Sequence, residues 1–201
     1  DDVFVSLIET LNKLPIIESS ILDCACASGY YFDLLSTQLN KKFKYTGSDY
    51  SEGMIKLAKD KYPTLPFSVQ DITNLSFDKN EFNIVLVSGV LEHIPNFHDA
   101  ISEVCRVAEN SVIIHRCLLS KTENNIYTSG FLYNIKTPRI FYSKSFLENE
   151  FNKYGFVLDL EVTAFNRELK LITFIKNVLR TIFYKRRPRT EYTLTFTKTT
   201  A

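Results

Sequence analysis

A chain of 201 residues is long enough to bury the core of one α/β domain and too short for two domains of comparable size. Its 24 basic and 23 acidic residues give a net charge of +1, so the charge balance does not call for a nucleic-acid partner. The sequence shows no signal peptide and no run of eighteen apolar residues, which predicts a soluble, cytoplasmic protein. We therefore expect a single domain over residues 1–201.

The cysteines and histidines do not follow a metal-binding pattern. Cysteines at 24, 26, 105 and 117 lack the paired C-x-x-C spacing of zinc sites, and histidines at 93, 98 and 115 add no ligand cluster. The sequence predicts reduced, buried thiols and no metal site.

The first predicted elements are a helix, a strand and a tight turn. An amphipathic helix ends near Pro15, and a short apolar strand then ends at Asp23. The small residues at 24–29 form a turn that leads into a second helix at 32–39. This order is typical of nucleotide sites, because a helix N-terminus favours anionic or polar ligands and small residues allow close approach.

A second acid, Asp49, follows the second predicted strand at 43–46. A carboxylate at the carboxyl end of a strand can accept hydrogen bonds from two ribose hydroxyls. An alternative role is to cap the following helix. The turn and the acid together favour a nucleotide-like cofactor.

The later elements alternate between strands and helices. Strands are predicted at 67–69, 82–87, 112–115, 156–162 and 192–196, and helices at 51–61, 99–108 and 146–154. Residues 118–139 are polar and aromatic without a clear period, as is common in segments that carry substrate specificity.

Residues 168–189 carry a wide apolar stripe followed by a basic end, which predicts an amphipathic helix. Core or dimer packing is the favoured interpretation. A lid over the substrate and a contact with a membrane surface or an anionic ligand stay open as alternatives.

Several motifs resemble those of the class I S-adenosylmethionine-dependent methyltransferases, in particular the type 11 group that acts on small molecules. The resemblance covers residues 20–117 and lies in Leu22-Asp23-Cys24-Ala25-Cys26-Ala27-Ser28-Gly29, Asp49-Tyr50-Ser51, Gln70-Asp71 and Phe82-Asn83-Ile84-Val85 with Val90-Leu91-Glu92-His93-Ile94. It implies a three-layer αβα sandwich with a mostly parallel seven-stranded sheet in the order 3-2-1-4-5-7-6, the last strand antiparallel.

The resemblance also implies S-adenosyl-L-methionine as cofactor and assigns its contacts. The implied cofactor-binding residues are Asp23, Ala25, Ala27, Gly29, Asp49, Tyr50, Met54, Asp71, Ile72 and Ser88. Asp49 would bind the ribose, Asp71 the adenine amino group, and Tyr50 and Met54 an adenine face, although Met54 can equally be a core residue. His93 is a candidate general base, because imidazole groups titrate near neutrality; ordering of its loop is the alternative role.

The sequence departs from the family at two positions. The first two glycines of the family motif are Ala25 and Ala27, and Gly29 remains. If either backbone position has a positive φ, alanine costs about 1 kcal/mol or more there. We expect cofactor binding that survives but is weakened.

The implied activity is methyl transfer to an O or N atom of a small molecule or a sugar-like acceptor. Segments 118–142 and 166–190 would then be substrate-side or packing insertions, and a homodimer is compatible with the sequence. A non-catalytic module that binds the cofactor is one alternative. A dinucleotide-dependent oxidoreductase is disfavoured, because G-x-G-x-x-G is absent.

Overall fold

Helices and strands alternate through the computed structural model, which describes residues 2–15, 18–132, 135–163 and 191–199. The helices are α1 (Asp2–Lys13), α2 (Tyr30–Gln38), α3 (Glu52–Lys61), α4 (Phe97–Val107) and α5 (Lys144–Asn152), with a 3-10 turn at Leu91–His93. The strands are β1 (Glu18–Cys24), β2 (Lys42–Asp49), β3 (Phe67–Val69), β4 (Phe82–Ser88), β5 (Ala108–Leu118), β6 (Ile126–Leu132), β7 (Ile135–Phe141), β8 (Phe156–Thr163) and β9 (Glu191–Lys198).

In the described part of the chain, seven strands form one mixed sheet in the order β3-β2-β1-β4-β5-β9-β8. The strands from β3 to β5 pair in parallel, and β9 pairs antiparallel with both β5 and β8. The predicted order and antiparallel last strand are confirmed, with β8 and β9 as the sixth and seventh strands. The register places Cys24 beside both Ser48 and Val87, so β1, β2 and β4 end at one edge.

Two core layers sandwich this sheet. On β4, Val85 and Val87 face the layer that contains α4 and α5, while Ile84 and Leu86 face the layer of α1, α2 and α3. Apolar residues on both faces are expected of a parallel strand covered by helices on each side. The predicted three-layer architecture is therefore confirmed.

A hairpin, β6–β7, lies within the segment 118–142, where the sequence showed no period. Its strands pair antiparallel from Ile126 with Phe141 to Leu132 with Ile135. Tyr127 and Ile135 are exposed, so the hairpin lacks the alternation that marks a half-buried strand. The hydroxyl of Tyr142, just after β7, donates to the carbonyl of Leu91 at 2.8 Å and fixes the hairpin beside the end of β4.

Three further predictions concern the cysteines, the segment 168–189 and membrane-spanning helices. All four cysteines are buried and free, as expected. The predicted amphipathic helix at 168–189 lies outside the described residues. Of the helices that the structure describes, none has the length and apolar character needed to cross a membrane.

Candidate functional site

The turn between β1 and α2 adopts left-handed backbone at three alternate positions. Ala25 has a φ of 66°, Ala27 of 47° and Gly29 of 79°. A Cβ on Gly29 would lie 3.0 Å from ring carbons of Phe67 and Tyr62, so a side chain here would have to displace these rings as well as adopt a left-handed conformation. Ala25 and Ala27 both have a positive φ, so each carries the strain expected of a residue with a Cβ in this conformation.

Replacing either alanine with glycine should stabilise the fold. We expect Ala27→Gly and Ala25→Gly each to raise the free energy of unfolding by about 0.5–1 kcal/mol, because relief of left-handed strain exceeds the entropy that glycine adds to the unfolded chain. Cofactor affinity should be unchanged or higher. Urea titrations read the stability change, with Ala58→Gly inside α3 as a control of opposite sign. Destabilisation by Ala27→Gly would show that the alanine is adapted to this turn.

Asp49 connects the turn to the end of β2. Its Oδ2 accepts the Ala27 N–H and its Oδ1 accepts the Ser51 N–H, both at 2.9 Å. The Asp49 carbonyl accepts the N–H of Gln70 at 3.0 Å, which joins β3 to the same edge. A carboxylate offers about four acceptor positions, so two hydrogen bonds leave capacity for two ribose hydroxyls.

A cleft of about 500 Å³ opens beside Asp49 at the carboxyl edge of the sheet. Of the predicted site residues, it brings together Ala25, Asp49, Tyr50, Asp71, Ile72 and His93. The lining also includes Val90, which agrees with the expectation that the backbone from Ser88 to Val90 approaches the cofactor. It is completed by residues without a predicted role, namely Ser48, Gln70, Thr73, Ile94, Pro95 and Asn96. Gln70 and Ile94 stand inside recognised motifs and could have been assigned; Pro95 and Asn96 carry no signal of their own.

The other predicted cofactor residues do not line the cleft. The backbone of Ala27 binds Asp49, and Gly29 caps the N-terminus of α2. Met54 lies in the first turn of α3, where its N–H donates to the hydroxyl of Ser51. Ser88 pairs with the hydroxyl of Tyr31 at 2.5 Å. Direct contacts of these residues with a cofactor stay predictions.

Asp23 is also absent from the lining, because its side chain is fully buried. Its Oδ2 accepts the hydroxyl of Tyr45 at 2.6 Å, and its Oδ1 has no hydrogen-bond partner among the described residues. Burial raises the pKa of Asp23 to about 7; the bond from Tyr45 opposes this and the charge of Asp49 adds to it. The group thus favours its protonated form in the fold.

This burial predicts a pH-dependent stability. The unfolded chain ionises Asp23 near pH 4 and the folded chain near pH 7, so its contribution falls as pH rises through that window and is fully lost above it. Asp23→Asn keeps an acceptor for Tyr45 and removes the ionisation. Its stability relative to wild type should increase by about 2–4 kcal/mol between pH 4 and pH 7.5. A constant difference in denaturation experiments across this range would contradict the assignment.

His93 lies in the 3-10 turn after β4 with its tautomer fixed by the hairpin. Its Nδ1 is 2.8 Å from the carbonyl of Pro138, which can only accept, so Nδ1 carries the proton. Its Nε2 is 3.9 Å from Oε1 of Glu92. In the neutral imidazole Nε2 therefore holds the lone pair that a general base needs, while the bond to Pro138 also supports the ordering role.

Comparison with known proteins supports the family that the motifs indicate. The sequence model of the family described as "Methyltransferase domain" matches residues 22–114. Residues 22–114 are therefore similar to methyltransferase domains. The resemblance seen in the motifs is confirmed, and the family depends on S-adenosylmethionine.

Curated relatives and solved structures agree with this assignment. Demethylmenaquinone methyltransferase of Staphylococcus epidermidis is 33% identical over 93 residues, covering 44% of this chain and 38% of the relative. The ubiquinone/menaquinone biosynthesis C-methyltransferase of Campylobacter jejuni is 28% identical over 131 residues, covering 63% and 53%. An S-adenosylmethionine-dependent methyltransferase from Mesorhizobium loti shares the fold with a TM-score of 0.69 at 12% identity, with 98% of each chain covered.

A further neighbour, magnesium protoporphyrin IX methyltransferase from Synechocystis PCC 6803, was solved with bound S-adenosylmethionine. Its TM-score is 0.63 at 16% identity, covering 98% of this chain and 78% of the neighbour. The chain spans roughly two fifths to three fifths of the length of the curated relatives it matches.

Proposed function

We propose that this protein binds S-adenosylmethionine in the cleft beside Asp49 and transfers its methyl group to a small molecule. The carboxylate of Asp49, held at the cleft by Ala27 and Ser51, carries this proposal. A nucleotide ribose needs such an acceptor at the carboxyl end of the second strand, on the side of the sheet where ligands bind in this class of fold.

The described residues fit the cofactor. The cleft has the volume of a small-molecule site, and Ala25 lines it without closing it. Tyr50 is 78% exposed at the lining, where its ring can cover the adenine, and Asp71 stands near enough to line the same cleft. When bound, the cofactor supplies an electrophilic methyl group on a sulfonium centre.

We infer that the acceptor is a hydroxylated aromatic ring methylated at carbon, instead of the O or N atom favoured by the motifs alone. The curated relatives are named for methylation of demethylmenaquinone, or as C-methyltransferases of quinone biosynthesis, which supports this class. Ionisation of the ring hydroxyl makes the neighbouring ring carbon nucleophilic. This carbon bonds the methyl group as the bond between methyl and sulfur breaks, and the ring proton then moves to the oxygen. The products are the methylated ring with its hydroxyl restored and S-adenosylhomocysteine, and the proton first lost by the hydroxyl is the one released.

The side chains contribute position and proton transfer. Asp49 holds one end of the cofactor, and alignment of the nucleophile with the methyl group supplies most of the acceleration. The Nε2 atom of His93 accepts the proton of the acceptor hydroxyl, and the carbonyl of Pro138 stabilises the imidazolium through the Nδ1 proton.

The binding step is tested by calorimetry with S-adenosylhomocysteine. Asp49→Ala should weaken binding by about 1–3 kcal/mol, because it removes the ribose acceptor and frees the Ala27 N–H. Asp60→Asn on the exposed face of α3 serves as the matched control. Binding of NAD in place of S-adenosylhomocysteine, or an unchanged affinity in a folded Asp49→Ala variant, would contradict the proposed site.

The catalytic step is tested with tritiated S-adenosylmethionine and a 1,4-naphthohydroquinone acceptor. His93→Gln should lower kcat by about 10²- to 10⁴-fold and leave the affinity for S-adenosylhomocysteine nearly unchanged. The loss of kcat/KM toward low pH in the wild type should be absent from the variant. His98→Gln, which alters an exposed histidine paired with Glu150, is the control.

Two other outcomes are informative. pH profiles of wild type and His93→Gln that superimpose after scaling would assign His93 to loop ordering. Tight cofactor binding without methyl transfer to any acceptor would support the non-catalytic module, for which the strained alanines at 25 and 27 are the supporting observation.

A further inference from the structure

A β-bulge interrupts β5 at the carboxyl edge of the sheet. Ile114 pairs with Leu194 and Cys117 with Tyr192, so two residues of β5, His115 and Arg116, lie opposite the single residue Thr193 of β9. Arg116 adopts a φ of 60°, which is unusual for a residue with a side chain. Bulges of this kind redirect a side chain and are frequent beside active sites.

The bulge directs Arg116 across the end of β4. A Cβ placed on Gly89 would lie 3.8 Å from both Cδ and Nη1 of Arg116, so the guanidinium side chain runs over this glycine. The Gly89 N–H donates to the carbonyl of His115 at 3.0 Å, which fixes the two strand ends together. Gly89 is followed directly by Val90 of the cofactor cleft.

Within the described part of the chain, the neighbours of Arg116 engage some of its N–H donors and leave others available. Its Nε donates to Oε2 of Glu191 at 3.1 Å, and it lies near enough to Tyr31 to lower the pKa of that hydroxyl, which burial raises. The carboxyl group of Glu92 also faces it, and burial raises the pKa of that group above its ordinary value. The guanidinium group of Arg116 has five N–H donors, and the ion pair with Glu191 uses the donor on Nε.

The position in the sheet separates this arginine from the ribose end of the cleft. From β2 to β5 the order runs β2-β1-β4-β5, so the two strands lie three spacings, or about 14 Å, apart. A cofactor that begins at Asp49 extends across β1 and β4. The end of β5 then faces the acceptor.

We propose that Arg116, with the hydroxyl of Tyr31, forms a subsite for an oxyanion of the methyl acceptor. The inference rests on the proposed function and deepens it, because it assigns an ionised hydroxyl or a carboxylate to the acceptor. A planar guanidinium recognises such oxygens in pairs. If Arg116 only joined β5 to β9, it could form the ion pair with Glu191 from an unstrained backbone. Its left-handed backbone is strained, which indicates that the direction of its side chain matters for function.

The test measures the binding of two similar naphthoquinone probes to the full chain saturated with S-adenosylhomocysteine. 2-Hydroxy-1,4-naphthoquinone is an anion at neutral pH, and 2-methoxy-1,4-naphthoquinone is its neutral analogue. Arg116→Asn removes the charge while keeping a residue that tolerates left-handed backbone, which protects the fold. Lys79→Asn removes the same charge from an exposed turn at the opposite edge of the sheet and is the matched control.

Wild type and Lys79→Asn should bind the anionic probe in preference to the neutral one. Arg116→Asn should weaken the anionic probe by roughly 10- to 100-fold and the neutral probe by less than about 2-fold, and Arg116→Lys should retain part of the preference. Equal binding of the two probes by wild type, binding of neither, or equal effects on both in Arg116→Asn would overturn the subsite.

A second measurement separates the acceptor from the cofactor. S-adenosylhomocysteine carries a carboxylate that 5′-methylthioadenosine lacks. If Arg116→Asn weakens the first and spares the second, the arginine holds the cofactor, and the acceptor subsite is wrong. Failure of wild type to bind S-adenosylhomocysteine at all would instead refute the proposed function, independently of Arg116.

Discussion

The carboxylate of Asp49 is the constraint on which the cofactor side of this molecule depends. By accepting the Ala27 and Ser51 N–H groups, it joins the turn after β1 to the start of α3. Two strained backbone positions, Ala25 and Ala27, are thereby held next to a cleft that the same carboxylate lines. Stability and the proposed ligand recognition therefore share one group, and the hydrogen bond from the Ala27 N–H to Asp49 helps to hold the strained turn in place.

The edge of the sheet at the end of β5 is organised by contacts between segments that are far apart in sequence. The hydroxyl of Thr193 lies 2.9 Å from both Nδ1 of His115 and the hydroxyl of Ser6, joining β9 to β5 and to α1. The hairpin reaches the end of β4 through Pro138 and His93. Since antiparallel β9 covers β5 and forms the bulge, the position of Arg116 follows from this pairing.

This contrast explains what sequence reasoning could and could not predict. The alternation of strands with helices and the location of Asp49 follow from local patterns, because apolar strands alternate with helices and parallel strands end at one edge. The strand order came from the resemblance to the methyltransferase family. The hairpin was missed because exposed Tyr127 and Ile135 break any alternation. The bulge at Arg116 depends on a partner strand about 75 residues away, and the burial of Asp23 depends on Tyr45, so neither leaves a local signal.

A crystal structure of the protein with S-adenosylhomocysteine tests the central claim most directly. The account predicts ribose hydroxyls within hydrogen-bond distance of Asp49 while the Ala27 N–H keeps its bond to the same carboxylate, the adenine near Tyr50 and Asp71, and the sulfur near the end of β4. Ligand density outside this cleft, or an Asp49 side chain that must leave Ala27 before the ribose can bind, would contradict a site that is formed in advance by the turn.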